Sequence, residues 1–81
     1  MKKKVFYIYD MGDGWSIEIS SSTDGFDGAI TVWDAWITLN TIGIKSYMFG
    51  VEKNTETLDS FSALACANFD TYKQLFRDNY M

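Results

Sequence analysis

The last third of the sequence carries an apolar stripe with the spacing of an α-helix. Its members recur at steps of three and four residues: Leu58, Phe61, Ala65, Phe69, Tyr72, Phe76 and Tyr80. Side chains at this spacing lie along one face of a helix, and that face must be buried against a second layer of structure. Thr55 or Thr57 can cap the first turn, because either hydroxyl can accept a hydrogen bond from a free backbone N–H group.

A single unbroken helix of about 24 residues would be long for a chain of 81 residues. At about 1.5 Å per residue it would extend roughly 36 Å, which is comparable to the diameter of a small domain. Asp70 is itself a favourable N-cap residue. The sequence therefore predicts a C-terminal helix that can divide into two near residues 68–70.

The start of the sequence has the pattern of a β-hairpin. Residues 3–10 are rich in Val, Phe, Tyr and Ile, and residues 15–21 alternate between apolar and polar side chains, as strands of a half-buried sheet do. Between them, Asp13 and Gly14 supply the conformations that a tight turn requires. The side chains of the second strand that we expect to face the core are Trp15, Ile17 and Ile19.

The orientation of the first strand decides which of its aromatic side chains are displayed. In a two-layer domain, one face of the sheet packs against helices and the other is open to water. We expect Phe6 and Ile8 to point toward the helices, which leaves Tyr7 and Tyr9 on the open side. Tyrosine beside acidic residues is typical of binding surfaces.

Residues 31–41 are compatible with either a strand or a helix. Their β-branched and aromatic side chains favour a strand, whereas the spacing of Trp33, Trp36 and Ile37 also fits a helix. Gly43 resembles the left-handed residue that follows many helices. Because Gly43 would end a helix in this way, we predict a short helix within residues 31–41.

The remaining segments complete a single α+β domain over residues 1–81. Residues 20–28 are predicted to form a polar loop, with Phe26 as its single large apolar side chain. Residues 45–52 have the pattern of a third strand, with one face made by Tyr47, Phe49 and Val51. The predicted element order is ββαβα, or ββαβαα if the last helix divides, with an antiparallel hairpin and a third strand packed on two or three helices.

Acidic and basic residues are distributed unevenly along the chain. The formal net charge is −4, and no Lys or Arg occurs from Val5 to Ile44. That stretch contains six carboxylates, namely Asp10, Asp13, Glu18, Asp24, Asp27 and Asp34. Nucleic-acid binding requires clustered positive charge. The pattern therefore argues against direct nucleic-acid binding and favours a basic protein as the partner.

The chain lacks the residue types on which most catalytic and metal sites depend. It contains no His and a single Cys, so neither a His-dependent catalytic site nor a cysteine-based zinc site can form. The Asp-Gly segment at residues 10–14 places glycine where a calcium loop needs oxygen ligands. We therefore expect no enzymatic activity, no cofactor and no bound metal.

The single cysteine bears on both reactivity and compartment. Cys66 lies between alanines beside the apolar stripe, where a free thiol behaves as a small, unreactive hydrophobe, so we expect it to be buried. A small domain without disulfides is typical of a reducing compartment. No apolar run of about 18 residues is present. We therefore predict a cytoplasmic protein with no membrane association.

Together these patterns favour a non-enzymatic module that binds another protein through its surface. The expected contact residues are the six carboxylates together with Tyr7, Tyr9 and Phe26. In size, acidity and lack of catalytic residues, the chain is similar in kind to phage-encoded inhibitors of bacterial defence, including anti-CRISPR proteins. This resemblance of general character implies an acidic inhibitor that docks on a basic, nucleic-acid-binding protein, in effect as a nucleic-acid mimic in the host cytoplasm. The resemblance does not rest on a sequence motif, so it assigns no role to any residue.

The alternative is a structural or oligomeric protein in which the C-terminal helix pairs with its own copy. An amphipathic helix of this length can bury its apolar stripe against a second molecule as well as against a sheet. Both a monomer and a homodimer are therefore compatible with the sequence.

Overall fold

The computed structural model describes residues 3–24 and 30–81, with side chains from residues 4–22 and 31–81. Four strands precede two helices: β1 (Lys3–Gly12), β2 (Trp15–Asp24), β3 (Ile30–Leu39), β4 (Ile44–Glu52), α1 (Leu58–Ala67) and α2 (Phe69–Tyr80). The strands form one antiparallel sheet in the order β1-β2-β3-β4. The predicted α+β class is confirmed, with four strands where three were expected.

The helix predicted over residues 31–41 is wrong, because most of these residues belong to β3. They pair with β2 in an unbroken antiparallel register and with β4 on the other side. Ala35, Ile37 and Leu39 alternate into the core with the period of a strand. Gly43 has the expected positive φ, at 69°, but it lies in the turn between β3 and β4. Pairing on both sides outweighs the local helical spacing.

The predicted polar loop over residues 20–28 is also shorter than expected. Residues 20–24 continue β2 and pair with the first half of β3. In this segment the hydroxyl of Ser22 donates to Asp34, whereas the hydroxyl of Ser20 is buried without a hydrogen-bond partner among the described residues. The segment that joins the two strands, with Phe26 and Asp27, lies outside the described residues.

The hydrophobic core lies between the two helices and one face of the sheet. Trp15 illustrates the packing, since its ring contacts Phe69 and Phe76 of α2 with centroids 6.2 and 5.1 Å apart. The core also contains Ile17, Ile19, Ala35, Ile37, Leu39, Met48, Phe61 and Ala65. The inward alternation predicted for β2 is confirmed. The inward helical stripe is confirmed from Leu58 to Phe76, whereas Tyr80 at its end is 49% exposed.

The C-terminal stripe divides into two helices at Asn68, within the predicted interval. The side-chain amide of Asn68 donates to the carbonyl of Leu64 at 2.8 Å, and the backbone N–H of Asn68 donates to the same carbonyl at 3.2 Å. Thr57 caps α1, because its hydroxyl accepts from the backbone N–H of Ser60 at 3.0 Å. Asp70 lies in the first turn of α2 and not at its cap. In the described part of the chain, no helix is long and apolar enough to span a membrane.

Candidate protein-binding face

The side of the sheet that faces away from the helices is called the open face here. It is formed by the even-numbered residues of β2 and β3 and by their cross-strand partners in β1 and β4. Its described charged side chains are Asp10, Glu18, Asp34, Lys45 and Glu52. Among those described side chains, four carboxylates outnumber one ammonium group.

The orientation predicted for β1 is wrong for both of its tyrosines. Tyr7 and Tyr9 lie directly opposite Ile19 and Ile17 of β2, and residues opposite each other in an antiparallel pair share a face. Both tyrosines are therefore on the helix-facing side, whereas Ile8 is 67% exposed on the open face. A β-bulge at Met11, between Asp10 and Gly12, displaces Tyr9 and Tyr7 by one residue relative to the turn, and a shift of one residue exchanges the two faces.

A β-bulge in β4 brings Tyr47 to the open face. Trp36 lies opposite Tyr47, whereas the preceding residue Ala35 lies opposite Phe49, so Met48 is the additional residue of β4. The prediction that Tyr47 shares a face with Phe49 is therefore wrong. Tyr47 is 50% exposed, and its ring meets that of Trp36 edge to face at 5.1 Å.

A cleft of about 340 Å³ opens on this face where β3 and β4 pair. Gly50 lies opposite Asp34, and its lack of a side chain leaves room there for the polar ends of Asp34 and Tyr47. A Cβ at Gly50 would lie 2.5 Å from the Tyr47 hydroxyl and 2.8 Å from Oδ1 of Asp34. The lining of this Asp34 cleft includes Ser22, Asp34, Trp36, Tyr47, Gly50 and Glu52.

Asp34 is predicted from the sequence as a surface carboxylate, but it is only 8% exposed. Its Oδ2 accepts a hydrogen bond from the hydroxyl of Ser22 at 2.6 Å, and its Oδ1 accepts one from Tyr47 at 3.4 Å. Among the side chains described, no base lies within ion-pair distance of it. Buried carboxylates are usually paired with a cation. Asp34 is instead held by hydroxyl donors at the wall of the cleft.

The raised pKa of the Tyr47 phenol suits it to donate a hydrogen bond to Asp34. Partial burial raises its pKa, and the neighbouring Asp34 carboxylate raises it further by its charge and by accepting the hydroxyl proton. Tyr47 therefore remains neutral at physiological pH and keeps its hydrogen available for Asp34.

The edge of the open face already holds one cation against an aromatic ring. Lys45 donates from Nζ to Glu18 at 2.9 Å, and the same Nζ lies 5.2 Å from the centroid of the Trp36 ring. Attraction between an ammonium group and the face of an indole accounts for this position. Glu18, Lys45 and Trp36 thus form one cluster of a carboxylate, an ammonium group and an aromatic ring.

The structure brings three of the predicted contact residues together on the open face, namely Asp10, Glu18 and Asp34. Asp13 lies in the turn between β1 and β2, with a φ of 54°. The backbone of Asp24 ends β2, and its side chain lies outside the described residues.

Of the residues that line the cleft, only Asp34 was predicted as a contact, and the prediction missed the aromatic and charged side chains of Trp36, Tyr47 and Glu52. Interpreting residues 31–41 as a strand would have placed Trp36 and Asp34 on one face. Gly50 is a further signal, since glycine inside a strand marks a bulge or a close approach. The bulge that turns Tyr47 outward has no comparable mark in the sequence.

The described residues also bear on two sequence predictions outside the cleft, those for metal binding and for the free thiol. Within the described ranges, no group of three or more His, Cys, Asp or Glu side chains is placed to hold a metal ion. Cys66 is partly buried where full burial was expected, and that burial raises the pKa of its thiol.

Comparison with models of protein families, with curated proteins and with solved structures found no match.

Proposed function

We propose that this protein is a non-enzymatic binding module whose open face docks on a basic region of another protein. The observation that supports this most strongly is the charge of that face. Its described side chains include four carboxylates, and its one described base, Lys45, is paired with Glu18. Complementary charge accelerates the encounter of two proteins and disfavours partners of the same sign.

Exposed apolar side chains on the same face provide the contacts that charge alone does not. Ile8 and Tyr47 are 67% and 50% exposed, and they lie on the two outer strands, to either side of the acidic centre. Aromatic anchors surrounded by polar residues dominate the energetics of many interfaces. The open face is thus suited to a basic partner that also offers an apolar surface.

A module of this kind would act as an inhibitor or adaptor. Basic surfaces on cytoplasmic proteins commonly serve nucleic acids, and an acidic protein bound there competes with the nucleic acid. The absence of Lys and Arg from Val5 to Ile44 also disfavours direct nucleic-acid binding by this chain. We therefore favour a cytoplasmic inhibitor of a nucleic-acid-binding protein, the general mode of phage inhibitors of bacterial defence.

A second candidate is self-association through the helices. Leu64, Leu75 and Tyr80 are 40%, 48% and 49% exposed on α1 and α2, which leaves apolar surface on that layer. The mass in solution separates the two candidates, because a concentration-independent monomer leaves the open face as the binding surface.

The proposal is tested by capture from a lysate of the cell that naturally contains the protein. The open-face variant carries the substitutions Asp10→Asn, Glu18→Gln and Glu52→Gln. The helix-layer variant carries Asp59→Asn, Asp70→Asn and Asp78→Asn, all at exposed helical positions. Each removes three carboxylates and so changes the net charge from −4 to −1.

The wild type and the helix-layer variant should capture the same basic protein and release it as salt is raised. The open-face variant should lose most of that capture. Equal capture by both variants would show that only net charge matters and would contradict docking through the open face.

A further inference from the structure

Within the proposed function, on which this inference rests, we infer that the Asp34 cleft is the anchor site for one arginine side chain of the partner protein. The cleft supplies a largely buried carboxylate, two aromatic rings and a second carboxylate, from Glu52. Each of these elements recognises a different part of a guanidinium group.

The carboxylate of Asp34 has capacity that the chain itself does not use. A carboxylate has acceptor positions for about four hydrogen bonds, and the described donors are the hydroxyls of Ser22 and Tyr47. Neither donor carries a charge, so the buried negative charge lacks a counter-ion among the described side chains. A guanidinium group supplies both the charge and a pair of N–H donors that matches a carboxylate.

The aromatic rings of the cleft favour a planar cation. Trp36 and Tyr47 meet at an interplanar angle of 71°, which forms a corner lined by π surfaces. Guanidinium stacks on aromatic faces and is more weakly hydrated than ammonium, so it enters such a corner more readily than lysine does. The position of Lys45 over Trp36 demonstrates the attraction within this chain.

The dimensions and the opening of the cleft fit a side chain. A volume of about 340 Å³ lies at the lower end of the range of about 300–1,000 Å³ that is typical of small-molecule sites. The cleft opens onto the face that we propose as the docking surface, and exposed Glu52 lies at its lining. An arginine that projects from a docked partner can therefore enter it without any rearrangement of the sheet.

The probe for this inference is N-acetyl-arginine amide, added to the isotope-labelled protein and followed through the backbone N–H of Gly50 and the indole N–H of Trp36. We expect both resonances to shift and saturate with a Kd on the order of 1 mM to 10 mM, as for a single anchored side chain. N-acetyl-lysine amide should bind several-fold more weakly, and the uncharged isostere N-acetyl-citrulline amide should give no saturable shift.

Variants assign the binding to the cleft. Asp34→Asn, which preserves shape and removes the charge, should abolish the saturable shift, whereas Asp70→Asn on α2 should leave it unchanged. Glu52→Gln leaves the buried hydrogen bonds of Asp34 in place and should raise the Kd about two- to fivefold, so the inference remains testable if Asp34→Asn does not fold.

Three results would each overturn the arginine assignment. They are equal binding of the citrulline or lysine amide, an unchanged Kd in Asp34→Asn, and no shift at Gly50 and Trp36. If these occur while the open-face variant still loses its partner, the docking proposal stands and the cleft assignment fails. If arginine amide binds as expected but the two charge variants capture alike, the cleft is an arginine site and the docking proposal fails.

Discussion

Gly50 and Asp34 lie directly opposite each other in β4 and β3, and the missing side chain of the first makes room for the carboxylate of the second. The Tyr47 hydroxyl also occupies this space, close to where a Cβ at position 50 would be. Glycine weakens a strand because it has no side chain to pack and much conformational freedom to lose. Here that weakness coincides with the cleft on which the proposed site depends.

Gly50→Ala should therefore destabilise the fold. The added Cβ would approach the Tyr47 hydroxyl and the backbone carbonyl of Trp33 at 2.5 and 3.0 Å, and overpacking of this kind typically costs about 1–3 kcal/mol. Without such contacts, the same change in a strand would stabilise the protein by about 0.4–1 kcal/mol through the unfolded state. Urea unfolding of the wild type and Gly50→Ala measures whether the free energy of unfolding falls or rises.

Tyr47→Phe provides the control for this prediction, because it removes the hydroxyl that the new Cβ would meet. The double variant Gly50→Ala with Tyr47→Phe should lose less stability than the sum of the two single variants. Additive effects, or a gain in stability from Gly50→Ala alone, would show that the space at Gly50 is not filled as described.

The phenol of Tyr47 should titrate above the ordinary tyrosine value of about 10. Burial and the Asp34 carboxylate raise its pKa in the folded state. A raised folded pKa gives a stabilising contribution that is complete below pH of about 10 and is lost as the pH rises through the folded pKa. The measurement is the difference in tyrosinate absorbance between the wild type and Tyr47→Phe. A midpoint at or below 10 contradicts the prediction, and Asp34→Asn should lower the midpoint.

Cys66 should react slowly with thiol reagents in the native state. The thiolate is the reactive form, and partial burial raises the pKa of this thiol. We expect alkylation near neutral pH to be slower in the native protein than in the same protein unfolded in urea. Equal rates in the two conditions would show that the folded structure does not protect the thiol.

Thr57→Ala should lower the free energy of unfolding by about 1 kcal/mol, because it removes the N-cap of α1. The hydroxyl of Thr57 accepts from the backbone of Ser60 and the Ser60 hydroxyl accepts from the backbone of Thr57, both at 3.0 Å. Thr71→Ala, at an exposed position inside α2, is the matched control and should be neutral or slightly stabilising. Equal losses in both variants would contradict the capping role.

The parts of the fold that the sequence predicts correctly are those in which local pattern and burial agree. Phe61, Phe69 and Phe76 keep helical spacing and are buried, and the alternation in β2 identifies its inward face. The helices and the first hairpin are therefore predictable, because the same residues satisfy propensity and packing.

The site is less predictable because it depends on pairing between distant strands. The position of Trp36 is decided by pairing with both β2 and β4, which a local window does not contain. β-bulges in β1 and β4 place Tyr7 and Tyr47 each on the face opposite to the predicted one. Amino-acid composition does not reveal a shift of one residue. The sequence alone predicts an acidic site. Predicting its aromatic side chains and its cleft also requires the register in which the strands pair.

The most direct test of docking through the open face is the rate of association with the captured partner as a function of ionic strength. Steering between opposite charges weakens as the Debye length falls to about 8 Å near physiological salt. The wild type and the helix-layer variant should associate rapidly at low salt and more slowly as salt rises. The open-face variant should associate more slowly at low salt, with a shallower salt dependence and a smaller change in its dissociation rate. Identical rates for the two variants at every salt concentration would contradict docking through this face.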